Sequence, residues 1–258
     1  MVGTGLAYAP KGLIGLLTPQ ANTTVEPEFA ILCPPGYAAI NARLTSPASQ
    51  MVDRLSEYFS TLKSQIARFS NAPIDAYAFA CTGSSYLAGR EAEEAKCAEI
   101  EGRTGRSFIA AAGAVRDALE TLGARRIGLV SPYPPDLDRA SDAYWTSCGF
   151  EVTEAITITD ASAPHPIYGI SADRTLAAIR DMKGRAVDAI VLLGTGVPTL
   201  GPIRQTANSD GPPVLSSMLA LAWRTIAALD GRPPERGDLL GWISGERWGQ
   251  RFAAEVGA

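Results

Sequence analysis

Residues Asp75–Gly83 read D-A-Y-A-F-A-C-T-G, and residues Asp188–Gly196 read D-A-I-V-L-L-G-T-G. The two stretches lie 113 positions apart and agree in register: Asp, Ala, four apolar residues, one variable position, then Thr-Gly. The variable position is Cys81 in the first copy and Gly194 in the second. Each run has the length of a strand and is continuously apolar, as a parallel strand covered on both faces would be.

The repetition reaches beyond these strands. Ile14-Gly15-Leu16-Leu17-Thr18-Pro19 matches Ile127-Gly128-Leu129-Val130-Ser131-Pro132 at the same offset, and Gly105–Ala111 matches Gly211–Ser217 at an offset of 106. Helical spacing is read over Ser49–Phe69, Arg90–Glu101, Gly113–Leu122, Asp138–Cys148, Ser171–Asp181 and Met218–Leu229. Strands are expected at Gly12–Leu17, Tyr37–Leu44, Ile74–Ala80, Ser107–Ala111, Arg126–Val130, Glu151–Thr157, Val187–Leu193 and Pro213–Ser216, and Pro19–Glu28 is expected as loop. Alternation of strand and helix calls for parallel sheets with right-handed crossovers. The expectation is an α/β protein of two pseudo-symmetric domains. Each is a short parallel sheet flanked by helices, and the active site lies in the cleft between them. One domain takes residues 1–112 plus 217–258, with returning C-terminal helices; the other takes 113–216.

Bulk properties narrow the function. The net charge of −4 and the lack of any basic run argue against nucleic acid or an anionic membrane as partner. No apolar run reaches the roughly 20 residues that span a bilayer, and the first residues do not pattern as a signal peptide. Cys33, Cys81, Cys97 and Cys148 are widely spaced, which reads as reduced thiols in a cytoplasmic protein. With one histidine, His165, a His-rich metal site is excluded, and no metal or cofactor is expected: neither a pyridoxal-lysine motif nor a dinucleotide fingerprint is present.

In parallel sheets ligands sit beyond the carboxyl ends of the strands. Those ends carry P-Q-A-N-T-T, C-T-G, S-P-Y and G-T-G, and all four should meet at one cleft. Thr82, Gly83, Thr195 and Gly196 would offer N–H and hydroxyl donors, which suit a carboxylate or a developing oxyanion. Two such loops suit a small carboxylate or dicarboxylate. Cys81 would sit beside those donors with its pKa lowered, the setting of a catalytic thiol. Cys33, Cys97 and Cys148 lack that setting and read as structural. Trp145, Trp223, Trp242 and Trp248 read as core or interface, and Glu91, Glu93 and Glu94 as a solvated helix face. The loop Asp160–Gly169 carries His165 and Tyr168; His165 is a candidate for the site, although a surface position is the simpler reading.

The motifs Pro19–Glu28 (P-Q-A-N-T-T-V-E-P-E), Ala80–Gly83, Ser131–Tyr133 and Gly194–Leu200 (G-T-G-V-P-T-L) resemble the aspartate/glutamate racemase superfamily, in its maleate cis-trans isomerase and arylmalonate decarboxylase branch. The resemblance covers nearly the whole chain and implies Asn22, Cys81, Tyr133 and the position of Gly194 around the substrate, and a homo-oligomer. Racemases and maleate isomerases of this family have a cysteine in each half; arylmalonate decarboxylases keep the second and have Gly at the first. This chain is the mirror case. Racemisation by two thiols is therefore put in doubt, whereas isomerisation through one nucleophile and decarboxylation with one proton donor both survive. The resemblance thus implies maleate isomerase-like chemistry through Cys81. The alternatives are an arylmalonate-type decarboxylase with Cys81 as single proton donor, and a catalytically silent small-acid binding protein.

Overall fold

The computed structural model describes residues 5–159 and 166–257. The first part of the chain runs β1 (Gly12–Pro19), α1 (Val25–Leu32), β2 (Tyr37–Leu44), α2 (Met51–Ser60), α3 (Leu62–Ile66), β3 (Ala76–Phe79), α4 (Thr82–Ala88), α5 (Arg90–Thr104), β4 (Ser107–Ala110) and α6 (Ala111–Leu122). Next come β5 (Arg126–Ser131), α7 (Pro135–Ser147), β6 (Glu151–Thr157), α8 (Ala172–Lys183), β7 (Ala189–Leu192), α9 (Leu200–Thr206) and β8 (Val214–Ser216). The helices α10 (Ser217–Leu229), α11 (Arg236–Ile243) and α12 (Gly249–Val256) close the chain. Two four-stranded sheets result, ordered β2-β1-β3-β4 and β6-β5-β7-β8, with every strand pair parallel. This is the two-sheet α/β architecture expected from the sequence.

The sequence repeat is also a register repeat. Ile14 pairs with Ala76 in the first sheet and Ile127 with Ala189 in the second, both partners displaced by the same 113 residues. Tyr77 opposite Phe108 is matched by Ile190 opposite Val214, which accounts for the 106-residue offset of the last strands. The aspartate that opens each repeat has a mechanical purpose. Asp75 Oδ2 accepts the Leu13 N–H at 2.8 Å, and Asp188 Oδ2 accepts those of Arg125 and Arg126 at 3.0 and 2.8 Å. Each carboxylate thus joins the entrances of the two central strands, and the backbone donors hold Asp188 down at about 2.

Four elements differ from expectation. Val25–Leu32 is helical where a loop was expected, because Asn22 Oδ1 accepts the N–H groups of Thr24 and Val25 and so starts a helix in a segment containing Pro27. The helix expected over Ser49–Phe69 breaks at Thr61, whose hydroxyl turns back to the Glu57 carbonyl at 2.6 Å. The short helices α4 and α9 have too few turns to show a period in sequence. One side-chain reading is also corrected: Glu93 is not solvated but buried, hydrogen-bonded by the Tyr144 hydroxyl of α7. All four tryptophans are buried, and apolar α10 packs on β3, β4, α6 and α1. Among the described residues no helix is long and apolar enough to cross a membrane.

Candidate active site

The carboxyl ends of β1, β3, β5 and β7 surround a cavity of about 150 Å³. Asn22, Cys81, Thr82, Gly83, Tyr133, Gly194, Thr195 and Gly196 all line it. His165 lies outside the described residues.

Cys81 is the residue before α4, in extended conformation (φ −146°, ψ 90°), so its side chain stands at the mouth of the first helical turn. It is 3 % exposed. Burial pushes the thiol up from its ordinary value, while the hydroxyl and N–H of Ser84 oppose the rise less strongly. The lowered pKa expected from the sequence is therefore corrected: donors are present, but exclusion of water outweighs them. The hydroxyl geometry points the same way. Ser84 Oγ donates its one hydrogen to the Leu55 carbonyl at 2.7 Å and lies 3.1 Å from Cys81 Sγ, so in this arrangement the thiol is the donor to Ser84. Cys81 rests as S–H. A thiolate would gain the Ser84 hydroxyl if that group turned from Leu55 to sulfur.

The two halves are stitched reciprocally around the cavity. Thr82 Oγ1, from the first half, lies 2.6 Å from Tyr133 Oη of the second. Thr195, the counterpart of Thr82, donates to the Ala80 carbonyl at 2.8 Å and accepts from Asn22 Nδ2 at 3.2 Å. Thr24 Oγ1 adds a bond to the Gly196 carbonyl at 3.0 Å. Asn22 therefore serves both readings of an asparagine in a loop: its oxygen makes the turn into α1, and its amide reaches across to the other half. The second hydrogen of that amide is free of protein partners among the described residues and available to a ligand.

Gly194 has φ +80°, and a Cβ placed there would lie 2.8 Å from Pro132 Cγ and 3.4 Å from Tyr133 Oη. The second copy thus lacks both a thiol and the backbone shape and space for one. Gly196 is equally tight, since its Cβ would fall 2.8 Å from Tyr168 Cε1. The Tyr133 phenol is held far above its ordinary pKa by burial, so it donates rather than ionises.

Sequence reasoning missed Arg54, Tyr58 and Ile167 in the lining, and gave no role to Gln20 of the P-Q-A-N-T-T stretch or to Tyr168 of the His165 loop, which also line it. Tyr168, raised to about 12 by burial and by the nearby Cys81, packs on Gly196 from the other side. The signal for Arg54 and Tyr58 was present: Met51, Arg54, Leu55 and Tyr58 recur at the spacing of one helix face. Glu28 was also missed. It is 6 % exposed, and its carboxylate accepts the N–H of Thr199 at 2.5 Å and of Leu200 at 3.1 Å and the Thr199 hydroxyl at 2.9 Å, pinning the chain that leaves the G-T-G loop. Desolvation raises Glu28 to about 7 against those three donors. Among the described residues no group of His, Cys, Asp and Glu is arranged to hold a metal ion.

The family model described as arylmalonate decarboxylase matches residues 14–240. The maleate isomerase of Geobacillus stearothermophilus is 26 % identical over 247 residues, covering 88 % of this chain and 96 % of that protein. The crystal structure of the maleate isomerase Iso from Pseudomonas putida S16 superposes with a TM-score of 0.78 at 23 % identity, covering 91 % of this chain and 98 % of that one. A cysteine-to-serine mutant of the Nocardia farcinica maleate cis-trans isomerase, solved with a covalently bound succinylcysteine intermediate, superposes with a TM-score of 0.73 at 23 % identity over 86 % of this chain and 94 % of that one.

Proposed function

The chain belongs to the arylmalonate decarboxylase family, and from that premise we propose that it is a cofactor-independent cysteine enzyme that interconverts the cis and trans forms of a small dicarboxylate, as a maleate isomerase does. The observation that carries the reading is the position of Cys81: a single thiol at the head of α4, inside a cavity whose donors come from both halves. The cavity, at about 150 Å³, is well below the roughly 300–1,000 Å³ of pockets for drug-sized ligands, which favours a small acid. In this proposal Cys81 is catalytic, and Asn22, Thr82, Gly83 and Tyr133 bind the carboxylate next to the reacting carbon; Thr195, its hydroxyl spent on the Ala80 carbonyl, and Gly196 add only backbone N–H groups, and Gly194 puts no side chain on the opposite face. The division at residues 112 and 217 is kept as the two halves that build the site.

Atoms and electrons balance without a cofactor. Cys81 first gives its proton to solvent, and the thiolate sulfur adds to one alkene carbon; the π pair moves to the neighbouring carbon and into its carboxylate. Rotation about the resulting single bond turns cis into trans. The pair then returns, the C–S bond breaks, and sulfur leaves with its electrons. The donors around that carboxylate act where charge develops. The succinylcysteine seen in the Nocardia farcinica relative is the adduct such an addition gives when the neighbouring carbon takes up a proton. Proton NMR of the enzyme with maleate tests the reading: fumarate should form, free of deuterium in deuterated buffer, and formation should cease in Cys81→Ala. No change in maleate at any enzyme concentration overturns it.

One observation favours a second reading. Cys81 rests protonated and hydrogen-bonded to Ser84, which is the state of a proton donor. An arylmalonate-type decarboxylation would use it so: carbon dioxide leaves, the pair remains on the α-carbon, and Cys81 S–H delivers a proton to one face. In the same deuterated buffer this reading gives one deuterium and one enantiomer from a prochiral malonate.

A further inference from the structure

We propose that Arg54 makes the cavity selective for substrates carrying a second negative charge, binding the carboxylate that lies away from Cys81. The inference rests on the reading that this cavity is the active site, and it concerns which acids enter rather than how they react.

The face of α2 turned to the cavity consists of Met51, Arg54, Leu55 and Tyr58. On an amphipathic helix such a stripe is ordinarily apolar throughout. Here Leu55 and Tyr58 are buried as expected, and a half-buried cation stands between Met51 and Leu55 in the stripe. Arg54 is the one charged side chain among the described residues that line the cavity. It is also built in. Arg54 Nη1 donates to the Ala48 and Ser49 carbonyls at 3.2 and 2.5 Å, which ties one edge of the guanidinium to the chain entering α2. Among the described residues no carboxylate pairs with it, and its Nε and Nη2 hydrogens are unused. By contrast Arg43, close by, is spent on Glu26 and on the Pro19 and Asn22 carbonyls. The fixed fork of a half-anchored guanidinium suits a carboxylate.

The rest of the cavity shows what this cation is for. The loops at Cys81 and Gly194 offer only neutral donors, namely hydroxyls, an amide and backbone N–H groups, and these serve the carboxylate at the reacting carbon. Tyr58, Tyr168, Arg54 and Cys81 line the same cavity, and both phenols lie within electrostatic reach of the cation and of the sulfur. Met51, Leu55 and Ile167 line the remainder with apolar surface. A diacid fills both ends. A monoacid, or an acid with an aryl group in place of the second carboxylate, would bury Arg54 without a counter-charge, and that loss is what gives discrimination.

Isothermal titration with unreactive acids tests this without turnover. Wild type should bind succinate roughly tenfold to hundredfold more tightly than butyrate, the range for a charge-assisted pair against a neutral contact. Arg54→Gln should bring succinate and butyrate to about the same affinity, weakening succinate and relieving the stranded charge that penalises butyrate; Arg54→Lys should retain part of the preference. Melting curves of both variants identify misfolding, and either folded variant suffices for the comparison. A preference for succinate that persists in Arg54→Gln, or its absence in wild type, overturns the proposal. Because neither acid reacts, failure here leaves the isomerase reading untouched, and failure of maleate turnover leaves the Arg54 result standing.

Discussion

The loops C-T-G and G-T-G descend from one repeat, and the structure has made them do different work. After Cys81 the chain turns at once into α4, so the first N–H groups of that helix face the cavity beside the sulfur. After Gly194 it runs on through Val197, Pro198 and Thr199 before α9 begins, and the donors there go to buried Glu28 rather than to the cavity. The threonine of each loop reaches into the opposite half, but Thr82 meets a phenol, whereas Thr195 spends its hydroxyl on the Ala80 carbonyl and the Asn22 amide. One copy presents chemistry and the other closes the structure around it. Duplication gives two equivalent frames; it does not oblige both strand ends to keep a reactive group.

The largest effect should come from the side of the comparison that carries chemistry. Cys81→Ala should lower turnover by at least roughly 10³-fold, the scale for loss of a nucleophile. Cys33→Ala, Cys97→Ala and Cys148→Ala should stay within about threefold of wild type, since those thiols lie outside the cavity and the changes are structural. A rate assay on the four variants checks this; near-normal turnover by Cys81→Ala would collapse the distinction between the loops.

Restoring symmetry is the next test. The symmetric variant Gly194→Cys looks from sequence like a simple repair that would add a second base. The structure argues otherwise. A side chain at φ +80°, with its Cβ 2.8 Å from Pro132 Cγ, should cost about 2–4 kcal/mol from left-handed backbone and overpacking. Chemical denaturation measures the loss, and Gly194→Ala should show most of it. A variant as stable as wild type would mean that the two loops differ only in side chain.

Glu28 belongs to the closing side of the comparison, and its effect depends on pH. Its folded carboxyl holds a proton to about pH 7 against 4.5 for the free group. A group raised in this way contributes its full stability below about pH 4.5, loses it as the pH climbs toward 7, and is level beyond. The change amounts to about 3 kcal/mol. In Glu28→Gln the acceptor for Thr199 and Leu200 remains while the titration goes. Unfolding free energies at pH 5 and pH 8 should therefore fall more steeply for wild type than for the glutamine variant, and equal slopes would remove Glu28 from this account.

What the sequence disclosed follows the same division. The repeat at Asp75 and Asp188 predicted two matched sheets because strand pairing obeys a periodic apolar code, and the register agrees residue for residue. The loops around the cavity were legible from their place at the strand ends, which is why Asn22, Cys81, Tyr133 and Thr195 line one space. Arg54 and Glu28 were not. The spacing of Met51, Arg54, Leu55 and Tyr58 gives the inward face of α2 but not that this face borders the cavity, and α1, which carries Glu28 and contains Pro27, was expected as loop. The direction of the Cys81 shift was missed for a related reason: donors can be counted in a sequence, but the exclusion of water that outweighs them depends on how residues distant in sequence pack around the thiol.

The smallest effects give the sharpest comparison, because they place the same substitution at equivalent positions. Valine replaces threonine with little change of shape and removes only the hydroxyl. In Thr195→Val the Ala80 carbonyl loses its donor and Asn22 Nδ2 its acceptor, and both groups are buried. That should cost about 1–3 kcal/mol of stability, the penalty for stranded buried polar groups. In Thr82→Val the group left behind is the Tyr133 hydroxyl, which borders the cavity and can turn to water there, so the loss should stay near about 1 kcal/mol. Kinetics should run the other way. Thr82→Val frees a phenol that touches substrate in this proposal, and should shift KM or kcat more than Thr195→Val measured on fully folded enzyme. Denaturation and steady-state kinetics on the two variants thus cross if one loop presents chemistry and the other closes the fold. If both quantities fall in parallel at the two sites, the halves share both tasks, and the asymmetry is confined to the presence of one thiol.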